Sequence, residues 1–565
     1  AVSVEEASSV AGHNNPLFST VTHMRSERLV RLIGSDEQQF VDTYHDKIRE
    51  TVLARLGEKK RRAWHVRFGE ALEAQERISA AELLSRLEQE SATTESIQAD
   101  RIYDLAYHFH AADDPRSFTY QLLAGEQALR NYAIEEAIVF YERAQRQIPK
   151  DAPNAVQYRL FLAIGRVMLW NNMPEASLEA FEKAETAAES AIPRAKAVAG
   201  LGYVCNQIGH FDSALGHYDR AVELIGAPRS KTLIGKLFAL TKASLTVLFI
   251  PAKYLKVNDD VGQERALLQH DILMHGSSAM PEKDMIATAE AFLRASVAAL
   301  QTGKEHLLAH GYANAGYMFS AYGAPWIGNF LLRRSGRIES RLNDPAIRGL
   351  YLYSLGTATY WSGDLGDAEG RLHEAVPLLK RSGNTYTQMV SAHMLRHAYA
   401  YLRSTTAEEE VAREVLRLAH ETGNVQCTCW GWYDVASALS RRGSLPEGMT
   451  HMQQSFGALN NERFNMTEAI RASAYGYVLL QASQYRTARE SALEGWKLVM
   501  KCPIDVTMFS LPVLIESIVG PTWTSRMPST DVALLRPLLR WAVVVHFSYP
   551  NHQPHLQRVA GRAFC

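Results

Sequence analysis

The sequence predicts an all-α chain built by stacking antiparallel helix pairs, and three observations predict it. Small and aromatic residues recur at fixed offsets. The best copies follow one another at 37–40 residues. Most of the intervening chain keeps apolar residues at helical spacing rather than in alternation. The clearest copy is Gly202 to Ala221, GYVCNQIGHFDSALGHYDRA, in which Gly202 is followed by Ala214, Tyr218 and Ala221. Small residues at such offsets sit where two helix backbones nearly touch, and the aromatic ring fills the hole between them.

Residues 1–57 read differently. Ser26 to Ile33 (SERLVRLI) is a helix end running into a strand, and Phe40 to Tyr44 is a second extended run. The Gly34-Ser35-Asp36-Glu37 stretch between them makes a hairpin. A helix follows from His45-Asp46, with Ile48, Val52, Leu53 and Leu56 at helical spacing. Helix, hairpin, helix is the outline of a partial winged-helix segment. Residues 58–115 continue as a helical connector with Trp64, Phe68, Leu72, Ile102, Leu105, Ala106 and Phe109 on apolar faces, interrupted by a polar loop at Glu88–Asp100. Lys59-Lys60-Arg61-Arg62 lies among Glu50, Glu58, Glu70 and Glu73 and reads as a solvated face.

The repeats occupy residues 116–530. Gly125, Ala137, Tyr141, Ala144 and Pro149 give one copy, and Gly165, Ser177, Phe181 and Ala184 the next. Gly202 to Ala221 is the third. Residues 227–345 keep a helical rhythm but lose the register, with Pro251, Pro281 and Pro325 as breaks and irregular connections over 257–278. The register returns at Gly356, Ala368, Leu372 and Ala375, and again at Ala400, Ala412, Leu416 and Ala419. A weak copy at Ala436, Gly448 and Met452 precedes a clear one at Gly476, Ala488, Ala492 and Gly495. Residues 531–565 form a C-terminal helix, at Asp531–Phe547, and tail. These offsets resemble the tetratricopeptide repeat. That resemblance implies a helical-repeat superhelix whose first helices line a concave face.

The phrase TYHDKIRE, Thr43 to Glu50, resembles the junction in bacterial STAND-type signalling ATPases, including those linked to serine/threonine kinases or nucleotide cyclases. In that family a P-loop ATPase precedes a winged helix and a helical-repeat sensor. The resemblance covers most of the chain and implies a bacterial signal-transduction role in the cytoplasm. Yet no G-x-x-x-x-G-K-[ST] occurs, and Gly235-Lys236 has no glycine-rich loop before it. Without that phosphate cradle the chain is expected neither to bind nor to hydrolyse ATP.

Composition narrows the function further. Sixty basic residues nearly cancel 61 acidic ones among 565, so no overall attraction to nucleic acid or an acidic membrane is expected. Five cysteines fit a reducing compartment better than a disulfide scaffold. The longest apolar run, Ala243–Ala252 between Lys242 and Lys253, falls short of the roughly 20 residues that span a bilayer. The N-terminus carries no hydrophobic signal core, and beginning with Ala rather than Met it suggests a truncated, processed or fragmentary chain.

No nucleophile elbow and no kinase signature is present. His393 and His397 stand at i and i+4, without a nearby third ligand, and read as a solvated or groove-lining face rather than a metal site. Cys427-Thr428-Cys429 reads as free thiols packing near Trp430. No catalytic residue, cofactor or metal is assigned. Aromatics crowd the first helices of the later repeats. The expected partner-binding residues are Tyr353, Tyr360, Arg396, Tyr399 and Tyr433, facing the concave groove. The leading function is a non-catalytic sensor or scaffold that binds a protein or peptide segment, or a small effector. Nucleic acid and membrane are not expected partners. The alternatives are a fragment of an ATP-binding enzyme whose catalytic domain lies upstream and, more weakly, a winged-helix transcriptional regulator.

Overall fold

The computed structural model describes residues 2–3, 7–8, 10–11, 18–35, 38–88, 99–131, 133–280, 283–458, 465–500, 509–521, 527 and 529–564. The chain forms two compact units, residues 1–197 and 198–565.

The first unit opens with the expected hairpin. Strands Val30–Ser35 and Gln38–Thr43 pair antiparallel, with Leu32 opposite Val41. A short strand, Val2–Ser3, adds to the free edge of the second strand, with Val2 opposite Val41. The expected tip residues 36–37 and most of the expected loop, 89–98, lie outside the described residues. Helix Asp46–Arg55 forms where predicted, but none of its residues is buried, so its apolar spacing is not a core face within this unit. Helices Glu58–Glu76 and Ala99–Ala112 then pack together, with Leu72, Ile102, Leu105, Ala106 and Phe109 in the core. Trp64, assigned to the same apolar face, is exposed.

Two repeat pairs follow, Ser117–Arg130 with Ile134–Arg146 and Asn154–Trp170 with Pro174–Ala187. The predicted offsets are met atom by atom. A Cβ added to Gly125 would come 2.6 Å from the Tyr141 ring, and one added to Gly165 would come 2.8 Å from the Phe181 ring. Only a residue without a side chain allows that approach.

The second unit repeats the contact at once: Gly202 faces the Tyr218 ring, which a Cβ would meet at 2.7 Å. Residues 227–345 hold more order than the sequence suggests. Asp260–Ala279 is one continuous helix where irregular connections are predicted. Glu305–Ala321 and Pro325–Leu342 form a further pair, in which Gly316, Gly328, Leu332 and Ser335 fall on the repeat offsets. A Cβ on Gly316 would touch Leu332 at 2.8 Å. Pro325 starts the second of these helices instead of breaking one, as a proline at a first helical position can.

Four more pairs complete the array: Pro345–Trp361 with Leu365–Arg381, Thr385–Leu402 with Thr405–Thr422, Val425–Arg442 with Leu445–Gly457, and Asn465–Gln481 with Tyr485–Val499. Asp344, Asn384 and Asn424 cap the first helices of three pairs through side-chain oxygens. Helix Ser529–Ser548 covers the predicted C-terminal helix, a single 3₁₀ turn spans Pro550–His552, and helix Gln553–Phe564 follows. The protein is an all-α helical-repeat chain, and among the described residues its strands form one small sheet near the start.

Candidate functional site

The first helices of the later repeats carry charge into their packing layer. On helix Thr385–Leu402, His393, Arg396 and His397 share a face by their spacing of three and four. Arg396 Nη2 lies 2.8 Å from Asp434 Oδ1 on the next first helix, and His393 Nδ1 lies 2.6 Å from Asp434 Oδ2. Arg396 also approaches Glu408, at 3.5 Å, and Arg441 grips the same carboxylate at 2.6 and 2.9 Å. Asp434 and Glu408 are fully buried and Arg396 nearly so. Two guanidinium groups balance two carboxylates, which is the condition for burying charge without a large penalty. The remaining member, His397, is held well below the ordinary imidazole range by burial and then by the Arg396 charge.

The five residues expected to face a groove lie in this layer. Tyr360, Arg396, Tyr399 and Tyr433 are buried, and Tyr353 is half-buried against Tyr317 at a ring separation of 5.6 Å. The Tyr399 hydroxyl donates to Glu369 at 3.2 Å, and burial with that carboxylate pushes its pKa up to about 12. Arg396 is committed to the ion network. Tyr360 sits between His397 and Tyr401, at ring separations of 6.4 and 6.2 Å. First-helix residues here pack on neighbouring first and second helices, so position on such a helix does not by itself bring exposure.

His393 is likewise buried, which corrects its assignment to a solvated or groove-lining face. Among the described residues, His393, His397 and Asp434 are the group close enough to share an ion. Arg396 already lies 2.8 Å from both Asp434 Oδ1 and His397 Nε2. A fixed cation thus occupies the position between these donors, and the set does not fit a metal. Cys427 and Cys429 are both buried, and Cys429 Sγ donates to the Ser455 carbonyl at 3.6 Å. Trp430 beside them donates from Nε1 to Thr467 Oγ1 at 3.1 Å.

A second feature had no sequence signal. The connector Ser548–His552 lies along the first-helix ends and turns of three successive pairs. Tyr549 Oη donates to the Ala321 carbonyl at 2.9 Å, and Ser548 packs against Gly323. Pro550 packs against Gly363, where a Cβ would stand 3.2 Å away. His552 Nδ1 lies 2.8 Å from Tyr401 Oη. Gly323 and Gly363 have φ of +77° and +87°, the left-handed turns that favour glycine. Tyr549, Asn551 and His552 are buried by this contact, although 228 residues separate Tyr549 from its acceptor.

No family model and no curated protein matches the chain. Among solved structures it is similar to a signal transduction ATPase with numerous domains (STAND) protein with a tetratricopeptide repeat sensor, from Pyrococcus horikoshii. Identity is 10%, the match covers 87% of this chain and 63% of that one, and the TM-score is 0.41. It is also similar to yeast Tom70, at 11% identity over 78% of this chain and 88% of that one, with a TM-score of 0.33. The chain therefore spans less than two thirds of the STAND protein it matches. At these values the repeat assignment rests on the chain's own packing, chiefly the contacts between residues sixteen apart.

Proposed function

We propose that the chain is a non-catalytic binding scaffold, the helical-repeat sensor of a bacterial signalling ATPase regulator, and that its row of repeat turns holds a protein segment. The observation that supports the reading best is the connector Ser548–His552. A Tyr-Pro-Asn-His corner is seated across three turns by a carbonyl acceptor, two glycine contacts and a tyrosine hydroxyl. In this reading the chain's own corner occupies the row until a partner with a similar corner displaces it. Tyr360 and Arg396 act from behind, holding Tyr401 and His397 in place, while Tyr353, Tyr399 and Tyr433 fix the spacing of the first helices. The TYHDKIRE junction and the hairpin support the STAND assignment and a winged-helix role for residues 1–57.

The test uses a labelled peptide of residues 529–564 added to the full chain. With Tyr549→Ala and His552→Ala in the chain, the row is vacated and the peptide should bind at least about tenfold more tightly than to the unchanged protein, as removal of an internal competitor requires. Binding to neither, with both proteins folded by circular dichroism, would sink the proposal.

A further inference from the structure

The apolar run that is too short to span a bilayer acquires a different meaning once folded. Its first seven residues, Ala243–Phe249, end helix Leu233–Phe249, which has two opposed apolar faces. One is buried: Ala243 and Val247 pack with Leu293 and Leu300 of helix Met285–Thr302. The other carries Ile234, Leu237, Phe238, Leu245 and Phe249, which fall within an arc of about 120° at 100° per residue and run about 22 Å along the axis. Ile234, Phe238 and Phe249 are 82%, 71% and 74% exposed. Tyr254, just beyond, and Trp326, on helix Pro325–Leu342, stand out equally far. Phe330 continues the surface on that helix, under Arg334, whose guanidinium reaches the Leu248 carbonyl. A helix with bulky apolar residues on two opposite faces ordinarily has both of them covered.

The charges on the two segments that carry this face are of one sign, with Asp259, Asp260 and Glu339 just beyond their ends. Residues 231–258 contain five lysines and no Asp or Glu, and residues 325–338 contain three arginines and no acid. The overall balance of 60 against 61 conceals this segregation. Lys231, Lys242, Lys253, Lys256, Arg333 and Arg337 are exposed, while Lys236 is paired with Asp284 at 2.6 Å.

We propose that this face docks on an anionic membrane surface, the apolar side chains entering the interface and the lysines and arginines meeting lipid phosphates. Charge selects the occupant. A second copy would bring lysine against lysine, which opposes association. A groove for a helical peptide would shield its own walls, whereas these side chains project with little cover. Bulky apolar groups with lysine and arginine around them are the composition of interfacial helices, which lie in the membrane plane and have no need to span it. The proposal replaces the expectation that no membrane partner exists. It is independent of the connector site, which involves none of these residues.

Co-sedimentation of the full chain with vesicles tests it. Binding to phosphatidylglycerol–phosphatidylcholine vesicles should exceed binding to phosphatidylcholine alone by about tenfold or more, and should weaken as salt is raised. Phe238→Glu with Phe249→Glu should abolish it, and Lys242→Glu with Lys253→Glu should reduce it by a similar factor. These positions are exposed, so all variants should keep the parent melting curve. Equal binding to neutral vesicles, or undiminished binding by the folded variants, would overturn the proposal. So would a parent dimer in sedimentation velocity that Phe238→Glu dissociates, with no vesicle binding, since the face would then join two copies.

Discussion

The helix pairs of residues 117–187 and those of residues 385–457 obey the same offsets but fill the same space with different chemistry. In the first set a glycine faces an aromatic ring sixteen residues later, as Gly125 does Tyr141 and Gly165 does Phe181. In the second set the corresponding pairs are Ala400 with Leu416 and Ala436 with Met452. There the rings have moved to the first helices, where Trp430 stacks on His393 at 4.9 Å and the Arg396–Asp434 and Arg441–Glu408 pairs lie buried beside them. The offsets constrain how much volume sits between two helices. They do not constrain its polarity, and so one fold can carry an apolar layer in one place and an ionic one in another.

The largest expected effect comes from breaking the ionic layer. Arg396→Ala leaves Asp434 and part of Glu408 buried without their counter-charge. The cost should be about 3–5 kcal/mol in denaturant unfolding, as for other buried pairs broken from one side. Arg159, in the apolar set, is the counterpart control. It bonds Glu126 at 2.5 and 2.8 Å, but both side chains keep some solvent contact. Arg159→Ala should therefore cost about 1 kcal/mol or less. Equal losses would mean that burial is not what distinguishes the two layers.

A smaller effect tests whether the two fillings are interchangeable. Gly165→Ala places a methyl 2.8 Å from the Phe181 ring and should cost about 1–3 kcal/mol through overpacking. Phe181→Leu opens a hole at the same contact. Together the changes rebuild the Ala400–Leu416 combination, so the double variant should lose less than the two singles added, by on the order of 1 kcal/mol. Strict additivity in thermal or denaturant unfolding would show that the alanine–leucine pairing depends on its surroundings.

The same contrast explains what could be read from the sequence. The hairpin, the Gly–Tyr and Gly–Phe contacts and the C-terminal helix were legible because each depends on residues close in sequence or on one fixed offset. The copy at Gly316, Gly328, Leu332 and Ser335 escaped notice because glycine, leucine and serine take its alanine and aromatic places, which leaves shape complementarity intact and the pattern faint. Glu408 stands beside Glu409 and Glu410 on an amphipathic helix, and nothing local sets it apart from them. Its burial is decided by Arg441, 33 residues away. Position on a first helix is legible for Arg396, Tyr399 and Tyr433, but it does not say whether each side chain faces solvent or a neighbouring helix. The connector contacts join residues 151 and 228 apart and leave no local trace.

The smallest effect separates the sets by pH. Residues 117–187 contain no histidine, whereas residues 385–457 contain His393, His397, His420 and His451. Burial and the Arg396 charge keep His397 neutral in the folded chain well below the ordinary imidazole range. In the unfolded chain the same group titrates near about 6.5. Below that pH the unfolded state binds the extra proton, so stability falls with acidification, approaching about 1.4 kcal/mol per pH unit, and above it the contribution is flat. Hydrogen-exchange protection of residues 385–457 should therefore drop by about 1 kcal/mol between pH 6.5 and pH 5.5. His397→Gln should remove most of that drop. The profile of residues 117–187, which hold no imidazole and whose carboxylates titrate at lower pH, Glu179 being held low by Lys183, should be unchanged by the substitution. If His397→Gln leaves the acid response of residues 385–457 intact, the proton enters elsewhere, and the ionic layer is not the acid-sensitive element that sets these repeats apart.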